Sequence, residues 1–98
     1  MLALPSLLTH NQAATCALSL GAGIRAEKGG LVAIDASELE KFDSSALAVL
    51  LQCRRESMVL GKRFEVTGLP HQLRELAGLY GINELLEGQR SEGQRKTP

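Results

Sequence analysis

The sequence predicts an α/β domain: a small mixed β-sheet covered by helices mainly on one face. Two observations carry that expectation. Short apolar runs bounded by turn residues, at 31–35 and 64–67, alternate with longer segments whose apolar residues recur at helical spacing. The chain has 98 residues, 44% of them apolar, which suits one modest core and argues against wholesale disorder. Only three aromatics occur, Phe42, Phe64 and Tyr80, so the core must be built from Leu, Val, Ile and Ala.

Residues 1–4 form a short strand that Pro5 confines to an edge or ends, because proline has no backbone N–H to give a ladder. Thr9 to Asn11 supply helix-capping chemistry. From Gln12 onward, Ala13, Ala17, Leu20 and Ile24 form one stripe with Cys16 beside it. Gly21 and Gly23 weaken the end of that helix. Lys28-Gly29-Gly30 is a turn, and Leu31-Val32-Ala33-Ile34-Asp35 after it reads as a buried, parallel strand. Residues 36–41 form a connection with small apolar contacts at Leu39 and Phe42.

A second helix is expected from Ser44 to Leu60. Its first half, Ala46 to Leu51, is apolar nearly all round, as in a helix buried on more than one face. Its second half turns amphipathic, with Arg54, Arg55 and Glu56 outward and Met58 inward. Gly61 suits the position just past the helix end. Phe64-Glu65-Val66-Thr67 follows as a second interior strand. Pro70 suits the start of a third helix with Leu69, Leu73, Leu76 and Ala77 inward, which Gly78 stops. Residues 80–86 are expected to form a last short helix that packs Ile82, Leu85 and Leu86 onto the core. One domain over 1–87 is thus followed by a tail, 88–98, too polar to bury a core and expected to be disordered.

Lys plus Arg balances Asp plus Glu at 11 each. Nucleic-acid binding normally leaves a basic excess, and the scarce aromatics offer no stacking platform for single strands. Arg54, Arg55, Lys62 and Arg63 read as a solvated face, with an acidic partner surface as the sharper alternative. Cys16 and Cys53 lie far apart without metal-ligand spacing and read as buried free thiols. His10 and His71 are isolated, and Gly29-Gly30 lacks the Lys-Ser/Thr of a phosphate loop. No catalytic grouping has a defensible spacing, so no enzyme, cofactor or metal is expected. With no basic-then-apolar leader and no apolar stretch of spanning length, a soluble cytoplasmic domain is expected, without direct membrane insertion.

The most informative stretch is Lys41-Phe42-Asp43-Ser44-Ser45-Ala46-Leu47-Ala48-Val49-Leu50-Leu51. An acid and two hydroxyls stand immediately before a dense apolar run. Any of the three side chains can accept a hydrogen bond from the unpaired N–H groups of a helix start, and only one or two are needed. At least one hydroxyl is therefore spare, where the helix dipole favours negative charge. Such a hydroxyl suits either a phosphate acceptor or a docking contact.

These residues resemble a STAS domain (sulfate transporter and anti-sigma factor antagonist) over roughly residues 2–87. The resemblance is carried by Leu31 to Asp35, by Phe42 to Leu47, by Gly61-Lys62-Arg63-Phe64, and by Gly68-Leu69 with Leu76 to Leu86. It implies a four- to five-stranded mixed sheet, no bound cofactor, and protein binding through the start of the helix after the Asp-Ser-Ser junction. Within the family the chain is most similar to the MlaB type, a small cytoplasmic subunit that docks on the ATPase of the bacterial phospholipid ABC transporter. The resemblance then implies that Asp43, Ser44, Ser45 and Leu47 bind the partner, with Ser44 as the docking hydroxyl. Through the ATPase, the chain would also reach the permease and lie peripheral to the inner membrane.

The alternative within the family is an anti-sigma factor antagonist, with Ser45 as the residue phosphorylated. Those proteins usually carry Gly after the second hydroxyl, where this chain has Ala46, a methyl expected to crowd an approaching kinase. The family also commonly has an additional N-terminal strand. Its shortness here leaves a sheet edge expected to be open, and self-association stays open with it.

Overall fold

The computed structural model describes residues 2–82, 85 and 86. The elements run β1 (Leu2–Ala3), β2 (Leu7–Leu8), α1 (His10–Ala26), β3 (Leu31–Asp35), β4 (Lys41–Phe42), α2 (Ser45–Val59), β5 (Arg63–Thr67) and α3 (His71–Leu79). The strands form two small sheets, one ordered β1-β3-β5 and the other β2-β4. Every pairing is parallel, with Val32 opposite Phe64 and Ile34 opposite both Val66 and Leu2. The class is therefore α/β. All strands of a sheet point the same way, so α1, α2 and α3 each begin just past the C-terminal end of a strand.

β3 alternates between half-buried and buried residues. Val32 and Ile34 are fully buried, whereas Leu31, Ala33 and Asp35 are half-buried on the other face. α1 and α2 lie side by side, with α2 against β5 and α1 against β1. The core that fills this layer comprises Leu4, Leu8, Leu20, Ile24, Val32, Ile34, Leu47, Leu50, Cys53, Leu73 and Leu86 with their smaller neighbours. The aliphatic character expected from the scarce aromatics is what fills it; Phe64 is the one aromatic among the buried residues.

Several local expectations are corrected. α1 continues through Gly21 and Gly23 to Ala26. A Cβ at Gly23 would lie 2.6 Å from Leu2 Cδ2, and Gly21 is buried against the Arg25 and Glu56 side chains. Met58 faces out at 56% exposure, and Ser57 takes the inward place, fully buried. The 3.6-residue period from Leu50 and Cys53 lands on Ser57, whose hydroxyl is satisfied by donating to the Cys53 carbonyl at 2.8 Å. β5, expected inside the sheet, is an edge strand among the described residues.

Gly78 does not stop α3, which runs to Leu79. Gly81, at φ +73°, occupies the left-handed position, and Ile82 N–H closes the end on the Ala77 carbonyl at 3.0 Å. Gly61 ends α2 in the same way, as expected. Of the last expected helix, Ile82 and Leu86 do pack on the core while Leu85 is exposed; the rest of it and the tail lie outside the described residues. β2 and β4 were not expected as strands, being only two residues each.

Two polar ties hold the C-terminal part of α1 in place. Arg25 bridges to Glu56 on α2 at 3.2 Å. Lys62 reaches from the turn before β5 to the C-terminal carbonyls of α1, donating to Ile24 O at 3.2 Å and to Glu27 O. Ile24 O also accepts the Glu27 N–H at 3.2 Å, and a cation suits the negative end of the helix dipole. Lys62 is thus a helix cap and leaves the solvated face to Arg54, Arg55 and Arg63.

Candidate docking site at the start of α2

The turn between β4 and α2 is organised by one carboxylate. Asp43 Oδ1 accepts the Ser45 N–H at 2.8 Å, closing an Asx turn. Its Oδ2 accepts the His10 N–H at 3.1 Å, across 33 residues of sequence. His10 opens α1 and Ser45 opens α2, so a single side chain caps both helices and fixes the separation of their N-termini. The two backbone N–H groups, Ser45 first and His10 second, hold the Asp43 carboxyl below its ordinary pKa. It is ionised at neutral pH, in the place where both helix dipoles favour an anion.

The remaining N–H groups of the first α2 turn are satisfied by backbone. Ala46 N–H donates to the Asp43 carbonyl at 3.0 Å, and those of Leu47 and Ala48 donate to the Ser44 carbonyl at 3.0 and 3.4 Å. Neither serine hydroxyl is needed. Ser44 stands at the N-cap position with no side-chain cap hydrogen bond, and it is exposed. Ser45 is half-buried, and its hydroxyl lies against the Asp43 carboxylate, contributing slightly to the lowered pKa.

The neighbouring residues divide by helical phase. Leu47, grouped with the serines by the sequence, is only 2% exposed and faces the core, so it underpins the turn without offering surface to a partner. Ala46 is fully buried. Its methyl points inward, so it does not crowd the exposed side of the turn as the sequence suggested. Beside the site, Leu7 of β2 is 41% exposed and His10 is exposed. Sequence reasoning missed His10: its role is that of a backbone N–H, which no residue type advertises.

An apolar groove of about 520 Å³ runs from Ala3, Leu4 and Leu7 along α1 past Thr15 and Cys16. Its one titratable group is the Cys16 thiol, which burial pushes up. Cys53 is buried within the core, and desolvation first, then Cys16 and Glu56, push its thiol up to about 12. Both cysteines are free thiols, and neither has the lowered pKa of a nucleophile. His71 pairs at 3.0 Å with Glu75 on its own helix, both side chains exposed. Among the described residues, no three His, Cys, Asp or Glu side chains gather as a metal-holding group.

What this arrangement can do is present. A rigid, doubly capped turn holds one unengaged hydroxyl in solvent, at the start of a helix anchored through Ala46, Leu47, Val49, Leu50, Cys53 and Ser57. A family model described as "Mlab, STAS domain" matches residues 1–87. No curated protein matches the chain.

Proposed function

The chain belongs to the STAS domain family, of the MlaB type, and from that membership we propose that it is a non-catalytic accessory subunit of a phospholipid-transporting ABC system. It binds the ATPase subunit through the first turn of α2 and through it joins the permease at the cytoplasmic face of the inner membrane. The observation that carries this reading is Ser44, exposed and free of any capping duty on a turn already satisfied by Asp43. Ser44 is the docking hydroxyl, with Ser45 and Asp43 beside it setting register. Leu7 and His10 supply neighbouring surface, while Leu47 holds the turn from below.

Regulation follows from differential binding. A subunit that prefers one conformational state of the ATPase shifts its population toward that state, and by no more than the difference in affinity. Ser44→Arg places a long cation where the turn must meet its partner. Co-purification of the ATPase with this variant is expected to fail, while the circular dichroism spectrum and melting temperature stay those of the wild type. Unchanged co-purification would remove Ser44 from the interface.

The competing reading is an anti-sigma factor antagonist phosphorylated at Ser45, and the inward methyl of Ala46 leaves room for a kinase at the turn. Phosphate would add about −1.5 to −2 charge beside Asp43. Incubation with a partner-switching kinase and ATP, followed by intact mass measurement, separates the two. A transporter subunit stays unmodified; an antagonist gains a stoichiometric phosphate.

A further inference from the structure

The formal charge of zero conceals a strongly sided molecule. Because the strands are parallel, the turns leading into β3 and β5 meet at one end. Arg63 N–H donates to the Gly30 carbonyl at 2.8 Å, and Lys62 reaches Ile24 O at the end of α1. That end gathers Arg25, Lys28, Arg54, Arg55, Lys62 and Arg63, with Glu27 and Glu56 beside them and Glu65 two residues beyond Arg63 on the same face of β5. Glu56 is taken by Arg25. Lys28, Arg55 and Arg63 are exposed, and Lys28 lies beside the Gly29-Gly30 turn, where it can adjust.

The same end exposes three successive large apolar residues. Met58 is 56%, Val59 80% and Leu60 43% exposed, where α2 runs out into the Gly61 turn. They close a helix tip with cations spaced around it on three separate segments, at 28, 55 and 63. Basic side chains ringing an exposed aliphatic tip match an anionic headgroup layer over its acyl boundary: the cations meet phosphates and the aliphatic residues enter the interface.

We propose that this end adsorbs reversibly to an anionic lipid surface. The contact lies about 22 Å from the Ser44 turn, at 1.5 Å per residue along the 15 residues of α2, so both ends can be occupied at once. It neither spans nor anchors, since no helix among the described residues is long and apolar enough to cross a membrane. The sequence reading routed membrane association through a partner alone. The fold adds this second contact by uniting residues scattered over the chain, and it does not rest on the ATPase reading.

The test is co-sedimentation of the full chain with vesicles of phosphatidylglycerol and phosphatidylethanolamine, against phosphatidylcholine vesicles. Binding is expected to the anionic vesicles only and to be released by salt. The double variant Lys28→Glu/Arg63→Glu should lower the vesicle affinity by about 25-fold or more, at about fivefold for each cation. Val59→Asp should weaken binding without touching the charge ring, and Ser44→Ala should bind as the wild type does. All these positions are exposed, and unchanged circular dichroism keeps the variants comparable. No binding to the anionic vesicles, or equal binding by the charge-reversed variant, overturns the proposal. So does a charge reversal that spares vesicle binding yet weakens capture of the purified ATPase, which would assign this end to an acidic protein surface.

Discussion

Asp43 ties two helix starts together with one carboxylate, in addition to the Thr9–Gln12 capping box that α1 carries itself. Half of this was legible: an acid two residues before an apolar helical run is a recognisable cap, and the Ser45 bond is local. The bond to His10 was not, because its donor is a main-chain N–H 33 residues away. The lowered pKa fixes the sign of a pH effect. The folded state favours the ionised form, so Asp43 stabilises fully above the ordinary value of 3.8 and loses that contribution as pH falls below it through the depressed folded value. Asp43→Ala is therefore expected to melt lower than the wild type at neutral pH, with the gap closing on acidification below that value. Thermal melts of both proteins across the acid range check this, and a gap that does not vary with pH would contradict it. Ser44 and Ser45 separate at this scale too. Adjacent and alike in the sequence, they differ in the fold by one being exposed and the other turned against Asp43.

At the level of elements, periodicity located β3, α2, β5 and α3 well, because each carries several apolar residues in phase. It failed where hydrophobicity and phase disagreed. Met58 is the more apolar residue, but the helix phase set by Leu50 and Cys53 brings Ser57 inward. The two-residue strands β2 and β4 carry too few side chains to show a period and exist only because they pair with each other. Glycines misled in α1, where they allow close contact, and informed at the turns. Gly68, between β5 and α3, has φ +69°, and a Cβ there would lie 2.9 Å from Ser37 Cβ and 3.0 Å from the Ser37 backbone nitrogen. Both the backbone conformation and the contact exclude a side chain. Gly68→Ala is expected to destabilise the fold by about 2 kcal/mol, read as a lower urea midpoint with an unchanged slope. Gly29→Ala, with nothing within 4 Å and no positive φ, should be close to neutral in the same experiment.

Over the whole molecule, the class was readable from alternation and composition, and the polarity was not. Among the described residues, Asp35, Glu38, Glu40 and Asp43 gather past the strand C-termini with Lys41 between them, while Arg25, Lys28, Arg54, Arg55, Lys62 and Arg63 gather at the strand starts. Parallel pairing, expected for the 31–35 strand and found in every pair, produces this separation by bringing turns far apart in the sequence to one end. The Ser44 turn sits at the acidic end and the exposed Met58-Val59-Leu60 tip at the basic one. Hydrogen–deuterium exchange on the intact chain, alone and with the purified ATPase subunit, would map which end is gripped. Slowed exchange across residues 43–48 and at His10, with the 58–63 segment unchanged, is the expected result. Protection confined to other surfaces, with the first turn of α2 exchanging as fast in the complex as alone, would contradict the account.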